Sequence, residues 1–199
     1  FRNYYKKRTQ DGLPFKKGVA LIMNSGRIGP FPSIPRISSN DRLPFDFATF
    51  QANPARLTLE GLNRDTGGTT YWTREDFPTQ DDLFARVEAS TSYPIIMPPV
   101  KLEGKTGGFY YDGGPGEGGG IMVPRARADG FSKYFVVRTQ PKGFRKRRAN
   151  RLINDVFFWR RPSMRKALAT WAKRYNEQLD QLETLEAKGR AYVFYAKNQ

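Results

Sequence analysis

The amino-acid sequence predicts a mixed α/β fold. Three features carry that expectation: short apolar runs with strand character, glycine-containing turns between them, and one long apolar stripe at helical spacing. Val19-Ala20-Leu21-Ile22 reads as a buried strand leading into Asn24-Ser25-Gly26, after which Pro30, Pro32 and Pro35 prevent regular structure. Arg56-Leu57-Thr58-Leu59 and Thr69-Thr70-Tyr71-Trp72 read as strands around the turn Asp65-Thr66-Gly67-Gly68. Asp81 or Asp82 is placed to cap a helix burying Leu83, Phe84 and Val87. That helix ends before Pro94, because proline disfavours helix in the residue preceding it. Pro99-Val100-Lys101-Leu102 and Phe109-Tyr110-Tyr111 then form a hairpin about a turn at Gly104, and Tyr134-Phe135-Val136-Val137-Arg138 is another short strand. In the last segment Ser163, just past Pro162, stands where a helix cap would. Met164, Leu168, Trp171, Tyr175, Leu179 and Leu182 follow at steps of three or four, Gly189 ends the helix, and residues 190–195 read as a closing strand.

Composition narrows the chemistry. With 199 residues, 38% of them hydrophobic and 14% aromatic, the chain can build a core and is no disordered tail. It contains no cysteine, which rules out disulfides and thiolate metal sites and suits a reducing compartment such as the cytoplasm. It contains no histidine, which removes Ser-His-Asp and Cys-His catalysis and every histidine metal site. Carboxylates, hydroxyls, Lys, Tyr and backbone amides remain, and no metal or organic cofactor is implied. The net charge of +15 attracts polyanions, either nucleic acid or anionic lipid headgroups. No stretch approaches the ~20 apolar residues of a membrane span. The first residue is Phe rather than Met and residues 1–8 lack the apolar core of a signal peptide, so the chain is expected to begin within a longer protein.

The most informative segment is Phe109-Tyr110-Tyr111-Asp112-Gly113-Gly114. A carboxylate directly after a strand lies at a sheet edge, where α/β folds put their sites. Gly113 and Gly114 allow a sharp turn and close approach of another segment. A general base needs such a position, fixed and open on one side. Asp-Gly is also a common turn dipeptide, so these residues alone leave both readings open. Other apparent motifs are loops. Gly104-Lys105-Thr106 has Pro99 where a phosphate-binding loop needs glycine. Gly114, Gly116 and Gly119 match a dinucleotide-binding pattern by spacing alone, with Pro115 stiffening the loop and no clear helix after it. Ser25 lacks the glycine two residues before it, and for Ser25, Ser90 and Ser92 bonding to local backbone is the expected role.

Several phrases of the chain, taken in order, resemble the patatin-like phospholipases. These are Ala89-Ser90-Thr91-Ser92-Tyr93-Pro94, Pro98-Pro99-Val100, Gly104-Lys105 and Tyr110-Tyr111-Asp112-Gly113-Gly114. Thr66-Gly67 before Tyr71, Ala128-Asp129-Gly130 and the strand Phe135-Val136-Val137-Arg138 follow the same order. Arg161-Pro162 before a helix, Arg174-Tyr175-Asn176 and the closing Glu186-x-x-Gly189-Arg190 are similar to the tail of some bacterial members. The resemblance covers residues 40–199. It implies a three-layer α/β/α sandwich with a mainly parallel sheet, incomplete here on its N-terminal side. It also implies a Ser-Asp dyad that hydrolyses acyl esters of lipids, with Asp112 as the base and Gly113 and Gly114 shaping the approach. The serine belongs to a Gly-x-Ser-x-Gly elbow that follows a glycine-rich oxyanion loop, and neither occurs in these 199 residues. The chain departs from the pattern at Leu62-Asn63, where the family has Thr-Asp, and in its unusually glycine-rich loop after Asp112.

On this reading residues 1–138 are the C-terminal part of the hydrolase domain and 139–199 a basic helix-strand extension. The run Lys142, Arg145, Lys146, Arg147, Arg148 and Arg151 is either a solvated face or a contact for an anionic membrane surface. Phe144 is the only aromatic inside it and no nucleic-acid motif accompanies it, so base stacking has little support. The expected partner is therefore a lipid or acyl-ester substrate, with peripheral contact at a membrane. The rival expectation is a catalytically inactive lipid-surface module or pseudoenzyme. The sequence does not set the oligomeric state.

Overall fold

The structure, a computed structural model, describes residues 45–195; the strand expected at 19–22 and Ser25 lie outside them. In chain order the elements are α1 (Phe47–Ala52), β1 (Leu59–Asn63), β2 (Thr69–Trp72), a 3-10 turn (Arg74–Asp76), α2 (Gln80–Thr91), β3 (Val100–Leu102) and β4 (Gly108–Asp112). There follow α3 (Val123–Ala128), β5 (Tyr134–Arg138), α4 (Arg151–Phe157), α5 (Pro162–Ala187) and β6 (Ala191–Tyr195). Helices and strands are mixed around an open sheet, as an α/β chain requires.

Among the described residues, β2-β1-β4-β3 form a four-stranded sheet in which every neighbouring pair is antiparallel. The parallel arrangement expected for most of the sheet appears only between β5 and β6, which form a separate two-stranded sheet. Connection length accounts for the two hairpin pairs. β1–β2 and β3–β4 are joined by short turns, whereas parallel neighbours need a crossover of a dozen or more residues. Two paired strands have connections that long: β5 and β6, which run parallel, and β1 and β4, which are antiparallel all the same. In β1–β2 the turn uses Asn63, whose Oδ1 accepts from the backbone N–H groups of Asp65 and Thr66. Gly67 supplies the positive φ of 66°. Strand β1 begins three residues later than the expected run at 56–59, because Leu59 pairs with Trp72 and Leu62 with Thr69.

Helices cover both faces of the four-stranded sheet. On one side Trp72, Tyr110 and Leu102 pack with Leu83, Phe84 and Ala89 of α2 and with Phe77. On the other, Leu62 and Tyr111 pack with Met164, Ala167, Leu168 and Trp171 of α5 and with Phe158. Alternation along β4 explains the split, since Tyr110 and Tyr111 must leave opposite faces of the strand. Burying one such large apolar side chain stabilises the fold by roughly 1.5–3 kcal/mol.

Two helix starts differ from expectation. Thr79, not Asp81 or Asp82, caps α2: its hydroxyl accepts from the Asp82 N–H and the Asp82 carboxylate accepts from the Thr79 N–H, each at 3.2 Å. Asp82 is thus the third helical residue of a capping box. Ser163 lies inside α5, because Pro162 takes the first helical position, where its missing N–H costs nothing. Helix α5 runs about 39 Å and serves both sheets. Its second half packs Leu179 and Leu182 onto Ala191 and Val193 of β6 and onto Ile121 and Val123. Residues on either side of position 138 therefore share the β5–β6 sheet.

Candidate active site

Strand β4 lies between β1 and β3, and its last residue, Asp112, stands opposite Gly61 in the register. The backbone around it is held from two directions. Its N–H donates to the Ser92 carbonyl at the end of α2, at 2.8 Å. Its Oδ1 accepts from the Gly114 N–H at 2.6 Å, so the side chain closes a turn over its own loop. The turn expected at Asp112-Gly113 is present, and it is this turn that positions the carboxylate.

Gly113 and Gly114 are required by close approach. A Cβ on Gly113 would come within 2.5 Å of Glu60 Cγ and 2.8 Å of the Glu60 carbonyl. One on Gly114 would stand 2.9 Å from the Trp171 ring and 3.0 Å from Asp112 Oδ1. Helix α5 pins the rest of this loop: Trp171 Nε1 donates to the Gly119 carbonyl at 2.9 Å, and the Arg174 guanidinium donates to the carbonyls of Pro115 and Ala167. Glu117 N–H donates to Thr69 Oγ1 at 2.7 Å. The glycine spacing of residues 114–119 is therefore packing, of Gly114 and Gly119 against α5 and of Gly116 against Thr69 and Glu60, and a helix the sequence does not announce, α3, starts soon after it. Gly104-Lys105-Thr106 is the β3–β4 turn, with Thr106 Oγ1 accepting from Trp72 Nε1.

Lys146 reaches the same place. Its backbone makes a reciprocal pair with Asn176 of α5, N–H to Oδ1 at 2.9 Å and Nδ2–H to the Lys146 carbonyl at 3.1 Å. Its ammonium lies 3.6 Å from the centre of the Trp171 ring and 5.4 Å from that of Tyr175, a cation–π arrangement. Tyr93 stacks obliquely on Trp171 with ring centres 5.5 Å apart. Burial raises the pKa of Asp112 above the usual range, while the Gly114 N–H and the Lys146 charge pull it back. Burial likewise lowers that of Lys146, opposed by the Asp112 charge. The carboxylate is thus partly desolvated yet has a cation at hand.

A second carboxyl, Glu60 on β1, is buried at 5% exposure and its Oε1 has no hydrogen-bond partner among the described residues. Gly113 and Gly116 wrap it closely. Burial, then the charges of Asp112 and Glu117, push its pKa up to about 7, and Arg174 opposes them. Neither Glu60 nor the inward role of Lys146 is legible in the sequence. Glu60 sits three residues before the turn residue Asn63 and carries no motif, and Lys146 is hidden in a run of like charges. Arg174-Tyr175-Asn176 is the one phrase that points here, since those three residues hold the loop and Lys146.

The remaining residues of the basic run do different things. Arg145 pairs with Asp180 at 2.6 Å and Glu183 at 3.1 Å on α5, and Lys142 lies near the Tyr195 ring. Arg147, Arg148 and Arg151 are exposed. Among the described residues no serine is seen to serve Asp112: the Ser92 hydroxyl donates to the Glu88 carbonyl at 2.8 Å, inside its own helix turn. Among the described residues no group of three carboxylates is placed to hold a metal ion. Nor is any helix among them long and apolar enough to cross a membrane. The ≈ 580 Å³ cleft beside β5 is lined by Ile121, Met122, Phe131 and Val136, and Asp112 is not part of it.

Comparison with known proteins returns no matching family, no matching curated protein and no matching solved structure.

Proposed function

We propose that this chain supplies the general-base half of a patatin-like serine lipid acyl hydrolase. The observation that carries the reading is Asp112: a strand-end carboxylate fixed by the Gly114 N–H, partly desolvated, and balanced by Lys146. A base working near neutral pH needs this combination, since burial sharpens its proton affinity while a nearby cation keeps it ionised. In the reaction, Asp112 accepts the proton of a serine hydroxyl as its oxygen bonds to the ester carbonyl carbon. It returns that proton to the departing alcohol, then takes one from the water that attacks the acyl carbon and passes it to the serine oxygen as that oxygen leaves. The serine and its oxyanion donors would come from a Gly-x-Ser-x-Gly segment, which these 199 residues do not contain. The sheet, covered by helices on both faces, is read as the later part of an α/β/α sandwich. Residues 139–199 are its basic extension, which closes the site through Lys146 and Asn176. The protein would act in the cytoplasm and at its membrane surface.

Hydrolysis of short- and long-chain p-nitrophenyl esters by the natural full-length protein tests this. Asp112→Ala is expected to abolish turnover while substrate binding persists. Turnover by that variant at the parent rate would remove Asp112 from the mechanism. The 199-residue chain alone is expected to resist labelling by a fluorophosphonate, and labelling would place the nucleophile within it.

A non-catalytic lipid-surface module is the second reading. It is favoured by the exposed apolar residues of α4 among arginines.

A further inference from the structure

Helix α4 is amphipathic in the reverse sense. Leu152, Ile153, Val156 and Phe157, with Trp159 just beyond its end, are 46–74% exposed, while Asn154 is buried. A helix normally turns its apolar stripe to the core, and contiguous exposed apolar residues of this size mark a contact surface. The opposite side of α4 is polar. Arg151, Asn154 and Asp155 line a ≈ 470 Å³ cleft shared with Arg148 and with Arg165 and Lys166 of α5. Asp155 engages Arg151 and Arg165, each at 3.6 Å, which leaves the cleft cationic. The Nε of Arg165 is buried with no hydrogen-bond partner among the described residues. Arg147 and Arg160 add exposed charge on either flank.

We propose that α4 and Trp159 form an interfacial wedge that seats this chain on an anionic phospholipid bilayer. The apolar residues enter the acyl boundary, and the Arg148–Arg151–Arg165–Lys166 cleft takes a lipid phosphate. Charge selects this occupant. A bilayer with anionic headgroups presents negative charge and hydrocarbon at adjacent depths, which matches arginines beside an outward apolar stripe. Tryptophan favours that boundary, with an apolar body and an N–H for the wet side. A second copy of the chain fits poorly. It also carries +15, and a two-fold contact through α4 would face arginines with arginines. The inference stands apart from the reading of Asp112, because a chain that hydrolyses nothing would bind vesicles equally.

The test is co-sedimentation of the chain with vesicles of phosphatidylcholine alone and of phosphatidylcholine mixed with phosphatidylglycerol. Binding is expected to the mixed vesicles and to be much weaker to the neutral ones. Arg148→Gln with Arg151→Gln is expected to weaken it about 25-fold, about fivefold for each cation. Val156→Asp with Phe157→Ser is expected to abolish it while the thermal midpoint stays unchanged, since both side chains are exposed. Acyl-brominated lipids should quench Trp159 and lose that effect in Trp159→Phe, because Trp72 and Trp171 are buried. Equal binding to both vesicle types, binding that survives the apolar variant, or quenching that persists without Trp159 would each overturn the proposal. So would a lipid-free dimer that the apolar variant dissolves. Binding of free inorganic phosphate without vesicle binding would reduce the cleft to a simple anion site and overturn the wedge.

Discussion

Replacing Glu60 by glutamine probes the electrostatics of the site directly. A carboxyl whose pKa rises from 4.5 to about 7 on folding costs the folded state about 3 kcal/mol once ionised, at about 1.4 kcal/mol per tenfold change in proton affinity. The sign follows from which state holds the proton. The folded protein binds it more tightly, so the contribution to stability is fully present below pH 4.5 and is lost as pH rises through about 7. The amide in Glu60→Gln keeps the shape of the side chain and cannot ionise. The parent should therefore lose about 3 kcal/mol relative to the variant between about pH 4.5 and pH 8.5. Urea denaturation of both proteins at several pH values measures the difference, and the pairing cancels the titrating groups that are not coupled to Glu60. A gap that stays constant within about 0.5 kcal/mol would show that Glu60 is solvated or finds a partner for Oε1, and the electrostatic account of the loop would fall with it.

Two further outcomes follow from the same geometry. Gly113→Ala places a methyl group against Glu60 Cγ and its carbonyl, and because main chain cannot rotate away, a loss of about 1–3 kcal/mol is expected in urea denaturation; an effect under about 0.5 kcal/mol would mean that the loop relaxes freely. Lys146→Met removes the charge that restrains Asp112, so, on the proposed role of Asp112, the acidic limb of the pH–rate profile for ester hydrolysis should move to higher pH. A limb that stays in place would show that Lys146 does not act on the base.

Much of the fold is legible where the signal is local. β2, β5, the two strands of the β3–β4 hairpin and the buried stripe of α5 all lie where alternation or helical spacing places them. The start of α2 differs from expectation because Asp82 does take part in the cap, but as the partner of Thr79. β1 is displaced because register is decided by the partner strand, and only pairing with Trp72 settles where Leu59 begins. Sheet direction escapes the sequence for a related reason. A strand looks the same from its own sequence whether its neighbour runs with it or against it; a short turn forces the antiparallel choice, and across a long connection such as that between β1 and β4 only the tertiary packing decides.

The candidate site divides in the same way. That Asp112 follows a strand and precedes two glycines is a property of adjacent residues, and the sequence alone determines it. The absence of histidine and cysteine is equally a matter of sequence, and it confines any chemistry to carboxylates, hydroxyls and amines. What surrounds Asp112 is a matter of tertiary structure. Lys146 lies more than thirty positions further along the chain and arrives only because Asn176 clasps its backbone to α5. Glu60 arrives through strand pairing, and its lost solvation comes from glycines that fold over it. The same holds for α4, whose apolar residues would suit a core by composition and face outward because Asn154 and Phe158 take the inner side. Desolvation and charge depend on distances through space, and those exist only once the chain has folded.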